Sequence, residues 1–406
     1  MIQQNYKKTL ITCYVGFITQ AIVANFTPLL FLRFHAEYDI SIGRIALIST
    51  VFYISQILVD VFCAKFVDRI GYRKCVVASQ IASVAGLVLL AFLPDLLPDH
   101  LSGILIAVVV YAVGSGLVEV LISPIVEACP FENKDSVMSL LHSFYCWGTV
   151  GVILLSTLFF MLFGIENWRI AACLWAVVPL VNAYNFSVCP IKRLTAEGEG
   201  MTIKELFGRP AFWIFVILMI GAGASEVSMA QWASAFVESA LGFPKSIGDL
   251  VGPCMFAAMM GLSRFIYGKF GQKINLTGFM LGSGILCLAC YLLTALSSSP
   301  AFGLIGCIVC GFSVGIMWPG SISISSERMP SGGTALFALL AMGGDLGASV
   351  GPGVIGLFTQ SADDNMRAGM LAGIAFPIIL ITAICVIIVR IPKKKNKDND
   401  FGAKND

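Results

Sequence analysis

The segment Asp68–Lys74 reads DRIGYRK, and the segment Lys269–Lys273 reads KFGQK, 200 positions later when the glycines are aligned (271 − 71 = 200). Each copy closes an apolar stretch long enough to cross a bilayer. A second echo, NWRIAACLWAVVP at 167–179 and NMRAGMLAGIAFP at 365–377, has nearly the same offset (365 − 167 = 198). Self-similarity at a fixed offset indicates an internal repeat. The chain is therefore predicted to consist of two similarly folded halves.

The composition indicates a membrane protein, because 57% of the residues are hydrophobic and only 12% are charged. Apolar runs of roughly 20 residues predict about twelve spanning segments. The alternating polarity of a membrane β-barrel is absent, so the fold class is predicted to be all-α, with two pseudo-symmetric six-helix bundles. The spans are predicted near 9–33, 43–66, 75–95, 102–126, 138–163, 169–189, 210–238, 247–271, 275–296, 300–324, 333–358 and 368–391.

One long polar interruption divides the chain at its middle, at residues 191–210. It predicts an N-terminal bundle at 1–190, a cytoplasmic linker at 191–209, a C-terminal bundle at 210–391 and a cytoplasmic tail at 392–406. The other loops are too short for a soluble catalytic domain. His35, His100 and His142 are scattered, and no ATP-binding GxxxxGK[ST] motif is present. We therefore expect neither an enzyme nor a bound cofactor.

The placement of Lys and Arg predicts the orientation in the membrane. If the N-terminus is inside, only five of the 26 cationic residues lie outside, which leaves 26 − 5 = 21 on the cytoplasmic side. Both termini are then cytoplasmic in a multi-pass cell-membrane protein, and the first span lacks a cleavage site and is retained. The net charge of +2 implies no nucleic-acid partner.

Two CxxC pairs, at 287–290 and 307–310, have the spacing of a four-cysteine zinc site. Both pairs lie in apolar spans. Four thiolates around one zinc ion would place a double negative charge in hydrocarbon. We therefore expect these cysteines to act as small hydrophobic side chains and expect no metal site.

The stretch 64–74, AKFVDRIGYRK, resembles the G-x-x-x-D-R-x-G-R-[RK] motif that major facilitator superfamily transporters carry after their second helix. The matching residues are Asp68, Arg69, Gly71 and Arg73. Ala64 and Tyr72 depart from the pattern. The resemblance covers nearly the whole chain in span number, central loop and repeat. It implies two six-helix bundles around a central cavity and transport by alternating access.

In that family the motif loop gates the cytoplasmic side, so the resemblance implies gating roles for its four matching residues. The physical reading agrees, because a carboxylate near a helix end, such as Asp68, can hold two bundles together through charged hydrogen bonds. Asp60 and Arg264 also lie towards the cytoplasmic ends of their spans, each before the basic loop of its half. We expect them to be inner-gate partners and not ligands.

Several stretches resemble the fucose permease branch of the superfamily, which takes up sugars with protons. They are GSGLVEVLISP at 114–124, LHSFYCWG at 141–148, SEVSMAQW at 225–232 and GGDLGASVGPG at 343–353. The acid of the fourth span in that branch maps onto Glu119. An acid is also typical of its first span, where this chain has Gln20, Asn25 and Thr27 instead. Coupling by an acid pair on the first and fourth spans is therefore not supported.

Ionisable residues deep in a bilayer cost about 2.5–3.5 kcal/mol on insertion scales, so each needs a reason. Glu119 shares a helical face with Ser115, Ser123 and Glu127, at a spacing of four. That face must contact protein or a wet cavity. Glu119 is a candidate for proton coupling, and the alternative is a structural hydrogen bond to a neighbouring helix.

Two further acids are predicted near mid-membrane. Glu226 and Trp232 in the seventh span suit a hydroxylated or cationic solute, since carboxylates accept hydroxyl protons and rings stack on sugars or cations. Asp345 in the eleventh span, beside Gly344, fits either a solute contact or the capping of unwound backbone.

Three other residues are weaker candidates for the same site. His142 can relay protons, but its position nearer the cytoplasmic end also suits a packed or solvated role. Tyr145 lies on the same span. Trp318, beside Pro319, either lines the cavity or packs in the core.

The sequence thus predicts a monomeric secondary transporter of a small polar solute, with a sugar favoured and protons as the coupling ion. The runner-up is an exporter of drug-like or cationic amphiphilic compounds by proton antiport. The GxxxGP pattern of antiporters is typical of the fifth span but occurs here at 347–352, in the eleventh. A sensor that has lost transport is a further alternative, but a static receptor would have little use for a breakable latch at Asp68.

Overall fold

The computed structural model describes residues 6–40, 42–192, 200–239, 245–297, 299–363 and 365–391. All regular elements in these ranges are helices. Eleven segments are long and apolar enough to cross a membrane. The predicted fold class, an all-α membrane protein of two six-helix bundles, is confirmed. Residues 193–199 of the predicted linker and the whole predicted tail lie outside the described residues.

The first half contains six spans. Its helices are α1 (Tyr6–Asn25), α2 (Phe31–Tyr38), α3 (Ile42–Ile70), α4 (Tyr72–Leu96), α5 (His100–Glu127), α6 (Lys134–Phe163) and α7 (Trp168–Val188). The first span continues from α1 through a 3₁₀ turn at Thr27–Leu30, where Pro28 lacks the N–H that a regular helix would use. The helix α2 is a short addition after this turn.

The second half repeats the arrangement. Its helices are α8 (Ile203–Phe207), α9 (Pro210–Ser239), α10 (Lys245–Phe270), α11 (Leu276–Leu296), α12 (Pro300–Gly315), α13 (Met317–Arg328), α14 (Gly333–Ser361), α15 (Met366–Ala372) and α16 (Ala375–Arg390). The eleven spans do not include α10, which lies at the predicted eighth span and packs against α9 and α12. The tenth and twelfth spans are each broken into two helices, α12 with α13 and α15 with α16.

Two helix pairs form most of the contact between the halves. Helix α3 packs against α14, and α6 packs against α10. In span numbers these pairs are two with eleven and five with eight, and moving each member of one pair by six spans gives the other (2 + 6 = 8, 11 − 6 = 5). The packing therefore follows the pseudo-twofold symmetry that the sequence repeat predicts. We call the face at which α1 begins the N-terminal face, and the other the opposite face.

Candidate functional site

Two adjoining cavities lie between the halves. The inner cavity has a volume of about 90 Å³, and the outer cavity has a volume of about 390 Å³. The outer volume falls in the range of small-molecule sites, about 300–1,000 Å³. The cavities share Ala24, Phe52, Tyr53, Tyr145, Glu226 and Val227 in their walls. A solute that occupies both cavities would contact these shared residues.

Most residues predicted for the solute site are in these walls. The inner cavity is lined by Gln20, Glu119, His142, Tyr145, Glu226, Trp318 and Asp345 among others, and the outer cavity is lined by Asn25, Tyr145 and Glu226. These residues come from α1, α5, α6, α9, α13 and α14. Both halves therefore contribute polar groups to one site.

The Glu119 carboxylate accepts two amide hydrogen bonds. Its Oε2 atom accepts from Gln20 Nε2 at 2.9 Å and from Gln56 Nε2 at 2.8 Å. Gln56 Nε2 also lies 3.3 Å from Ser115 Oγ. Amide N–H groups can only donate, so this arrangement satisfies an ionised carboxylate without a bound proton. The first span, which has no acid, thus supplies the Gln20 amide to Glu119 of the fourth span.

Arg264 lines the inner cavity. The sequence predicted that it is an inner-gate residue and not a ligand. Its Nη2 atom is 3.2 Å from Glu226 Oε2, and only 3% of the side chain is exposed. It donates to the His142 carbonyl at 3.1 Å and to the Gly315 carbonyl at 2.7 Å. Arg264 therefore connects α10 with α9, α6 and α12, across both halves.

The contact with Gly315 has a backbone cause. Pro319 lacks an N–H group, so the carbonyl four residues earlier, at Gly315, has no helical partner. The helix breaks at this point between α12 and α13. An unpaired carbonyl inside a membrane protein needs another donor, and the Arg264 guanidinium supplies it.

Two side chains of α6 are bonded within the first half. The Nε2 atom of His142 is 3.1 Å from Ser123 Oγ, and the ring is 4% exposed. Thr149 Oγ1 accepts from Asn25 Nδ2 at 3.2 Å. His142 is therefore a packed residue that also lines the inner cavity, and Asn25 is held at the wall of the outer one.

Trp318 lines the inner cavity, and its position depends on a glycine. A methyl group at Gly344 would overlap the Trp318 ring. A Cβ at Gly344 is therefore excluded by the aromatic ring from the neighbouring helix. Gly344, which precedes Asp345 and was predicted to accompany a solute contact or unwound backbone, makes room for the Trp318 ring.

Trp232 is not among the residues that line either cavity. Its indole Nε1 donates to the Pro352 carbonyl at 2.9 Å, so it joins α9 to α14. The reason is helical geometry, because six residues separate it from Glu226, and six steps of about 100° place the two side chains on different faces. The pairing of Glu226 and Trp232 that the sequence suggested is not formed.

Asp345 and Asp60 lie at different depths. Asp345 lines the inner cavity and is 4% exposed. Asp60 is fully buried, outside the residues that line the cavity. It interacts electrostatically with Asp345 and Glu119. Asp60 therefore belongs to the interface of the halves, below the site.

The motif loop contacts the second half at the N-terminal face. Asp68 Oδ1 accepts from Thr334 Oγ1 at 2.7 Å, and the Thr334 hydroxyl also bonds with the Tyr72 hydroxyl. Gly71 has a φ of +98°, which glycine adopts without strain in the turn from α3 to α4. This loop holds the first turn of α14 against α3. Tyr72, which departs from the motif, is part of the contact.

The two arginines of the motif do not join the halves among the described contacts. Arg73 donates to the carbonyls of Phe186, Ser187 and Cys189 at 2.7–2.9 Å, at the end of α7 in its own half. The last carbonyls of a helix have no internal partners and favour a cation. Arg69 is exposed. The predicted latch is thus a carboxylate with two hydroxyls, and Arg73 stabilises the first bundle.

The second copy of the repeat makes the corresponding contact with α6. A Cβ at Gly271 would overlap Ser136, and a Cβ at Gly268 would lie 2.8 Å from Leu140. Ser139 Oγ donates to the Arg264 carbonyl at 2.8 Å. This copy has no carboxylate latch. Close backbone approach at glycines replaces it.

The sequence did not single out several residues of the site, chiefly Tyr53, Gln56 and Thr334. Gln56 is an amide within an apolar run, four residues before Asp60, and this spacing could have placed both on one face of α3. Tyr53 follows the same pattern a turn earlier. Nothing in the local sequence distinguishes Thr334.

The cysteine pairs are buried as small side chains, and Cys287 Sγ lies 4.0 Å from Cys310 Sγ. In the part of the chain that the structure describes, no cluster of three His, Cys, Asp or Glu side chains is arranged to hold a metal ion.

Comparisons with known proteins agree with the fold. The chain is similar to the E. coli fucose:proton symporter FucP, with 11% identity, a TM-score of 0.78, and coverage of 94% of this chain and 99% of that one. It is similar to FucP in the outward conformation, with 12% identity, a TM-score of 0.77, and coverage of 93% and 98%. For the proton:xylose symporter XylE bound to 6-bromo-6-deoxy-D-glucose, the identity is 13%, the TM-score is 0.80, and coverage is 95% and 96%.

At these identities the likeness shows the fold alone. A search of curated protein sequences finds no match. The family model of the Major Facilitator Superfamily matches residues 12–352. That range covers most of the chain and both halves, and the chain belongs to the major facilitator superfamily.

Proposed function

We propose that the protein is a secondary transporter that moves a small polar, hydroxylated solute, such as a sugar, by alternating access. The observation that carries the proposal is the cavity between the halves, whose walls carry acids, amides and aromatic rings from both. Carboxylates and amides can bond several hydroxyl groups, and the rings of Tyr53 and Tyr145 at the junction of the cavities offer faces for stacking. The structural likeness to sugar:proton symporters supports the solute class.

The inner cavity, at about 90 Å³, is well below the range of small-molecule sites, roughly 300–1,000 Å³. The solute therefore binds across the junction, near Glu226 and Tyr145, with one polar group directed towards Glu119. Sealing of the outer cavity then completes the site around it.

The conformation supports alternating access. Contacts at Asp68 and Thr334 close the N-terminal face, whereas the outer cavity is lined by Phe31, Ile48 and Ile153 from the helix parts nearer the opposite face. With both termini in the cytoplasm, as the basic loops favour, the structure is outward-facing. The halves, residues 1–190 and 210–391, then rock about the site as units in a monomer of the cell membrane.

The charge of the cavity walls favours a cationic solute as the alternative to a sugar. Glu119 and Asp345 have no ion pair among the described residues, whereas Glu226 is paired with Arg264. A wall with excess negative charge also suits cations, so export of cationic amphiphiles by proton antiport is the second candidate. Anionic solutes are disfavoured in both cases.

Uptake into proteoliposomes tests the proposal. A panel of neutral sugars and one of organic cations should be compared with and without an imposed pH gradient, for wild type and for Glu119→Gln. Glu132→Gln, at an exposed loop position, is the matched control. We expect uptake of at least one neutral sugar and its loss in Glu119→Gln only. Uptake of cations alone would favour the exporter, and an unaffected Glu119→Gln would remove Glu119 from the site.

A further inference from the structure

Two buried carboxylates at the interface of the halves lack hydrogen-bond donors. Neither oxygen of Asp60 accepts a hydrogen bond from any described residue, and Asp60 is 0% exposed. The Oδ2 atom of Asp345, which is 4% exposed, also has no partner among them. A buried carboxylate without a donor is costly when it is ionised, so it requires a proton or a cation.

The two residues lie on antiparallel helices that pack against each other. Asp68 on α3 contacts Thr334 on α14, which sets the register of the pair. From this contact Asp60 is eight residues away (68 − 60 = 8), about 12 Å along α3, and Asp345 is eleven residues away (345 − 334 = 11), about 16–17 Å along α14. Their levels differ by about one helical turn, in agreement with their electrostatic interaction.

Among the described residues, no positively charged group acts on Asp60. The titratable groups that act on Asp60 are Asp345 on α14 and Glu119 on α5, and Asp60 acts in turn on Cys63 of its own helix. Cys75 on α4 interacts electrostatically with Cys63. The titratable groups near Asp345 are Tyr53 on α3 and Glu226 on α9. Glu226 is paired with Arg264. Neighbouring carboxylates disfavour a second negative charge, so they strengthen the requirement for a proton.

Glu119 differs from this pair in its hydrogen bonds. It accepts from Gln20 and Gln56, which stabilise its ionised form. The amides therefore separate the acids into two roles. Glu119 has donors for a charged carboxylate and can hold the solute, whereas Asp60 and the Oδ2 atom of Asp345 have none among the described residues and require a proton while the halves are in contact.

We propose that Asp60 and Asp345 together bind one proton between the two halves in the state whose N-terminal face is closed. The inference rests on the proposed transport function and assigns its coupling site. The proton enters from the inner cavity, which Asp345 lines, and forms a neutral carboxyl group on the pair. Separation of α3 from α14 admits water to Asp60 and releases the proton at the N-terminal face. No bond other than O–H forms or breaks.

A solute-free measurement tests the proposal separately from transport. The purified protein in nanodiscs is titrated from acid to alkaline pH, and the carbonyl stretch of protonated carboxylic acids is followed by infrared difference spectroscopy. We expect wild type to show a titrating band that is lost in the Asp60→Asn/Asp345→Asn double variant. Glu119→Gln and Asp363→Asn should retain this band. Asp363 is exposed, so it provides the same substitution away from the interface.

The outcome of the infrared titration shows which acids bind the proton. A band that remains in the double variant, or that disappears only in Glu119→Gln, overturns the proposal. A titration that shifts when NaCl replaces choline chloride shows a sodium site and also overturns it. Each single variant should shift the midpoint of the band, so Asp345→Asn tests the pair if Asp60→Asn does not fold. Absence of sugar uptake would refute the proposed solute class and leave this result intact.

Discussion

Substitution of Thr334 by Val should open the N-terminal face. The change keeps the shape of the side chain and removes the hydroxyl group that donates to Asp68 at 2.7 Å. Thr334 is 1% exposed, and the bond joins α3 of one half to α14 of the other. Because this bond exists only while the face is closed, its loss destabilises the closed state and leaves the open state unchanged.

The magnitude follows from the charge and partial exposure of the acceptor. Hydrogen bonds to charged groups contribute about 1.5–3 kcal/mol, and the partly exposed Asp68 can recover some of this from water, so we take about 1.5–2 kcal/mol. At about 1.4 kcal/mol for each factor of ten, the ratio of closed to open protein should fall by about 10- to 30-fold.

Distances across the N-terminal face provide the assay. Genetically encoded labels at the exposed positions Lys74 and Lys273, in different halves, avoid the buried cysteines, and their separation reports opening in nanodiscs. Thr382→Val is the control, since Thr382 is exposed and bonds only to its own helix.

A double-mutant cycle identifies the partner of the Thr334 hydroxyl. Asp68→Asn should open the face in a similar way, and Thr334→Val should then add little to it. Additive effects, or a distance distribution in Thr334→Val equal to that of wild type, would refute the latch.

Three further changes test other parts of the structure. Gly344→Ala should force the Trp318 ring to move, cost about 1–3 kcal/mol of stability and alter solute affinity, as measured by thermal unfolding and uptake. Trp232→Phe should cost about 1 kcal/mol and leave solute affinity unchanged, and a tenfold change in affinity would contradict its placement outside the cavity. Burial alone would raise the pKa of Glu37, but hydrogen bonds from Arg169 and from the Trp168 indole lower this pKa below its usual value of 4.5. Stability from this contact is therefore present above pH 4.5 and lost as the pH falls through the lowered pKa, and Glu37→Gln should abolish that loss of unfolding temperature.

The sequence by itself determined the spans and the duplication. Apolar runs of the required length identify membrane helices because the hydrocarbon core excludes unpaired backbone groups. The repeat between Asp68–Lys74 and Lys269–Lys273 predicted two equivalent halves, and the superfamily motif followed from the same segment. The mid-membrane acids Glu119, Glu226 and Asp345 were also visible, because charges are rare in such runs.

Only the tertiary structure decided what each acid contacts. Glu119 receives two amides, Glu226 receives a guanidinium, and Asp60 receives no donor among the described residues. These partners come from helices distant in the sequence, and for that reason the contact of Arg264 with the cavity was not predicted. The charge state of a buried carboxylate depends on such partners, so the roles that we propose for these acids, solute ligand and proton carrier, could be distinguished only after the helices were packed.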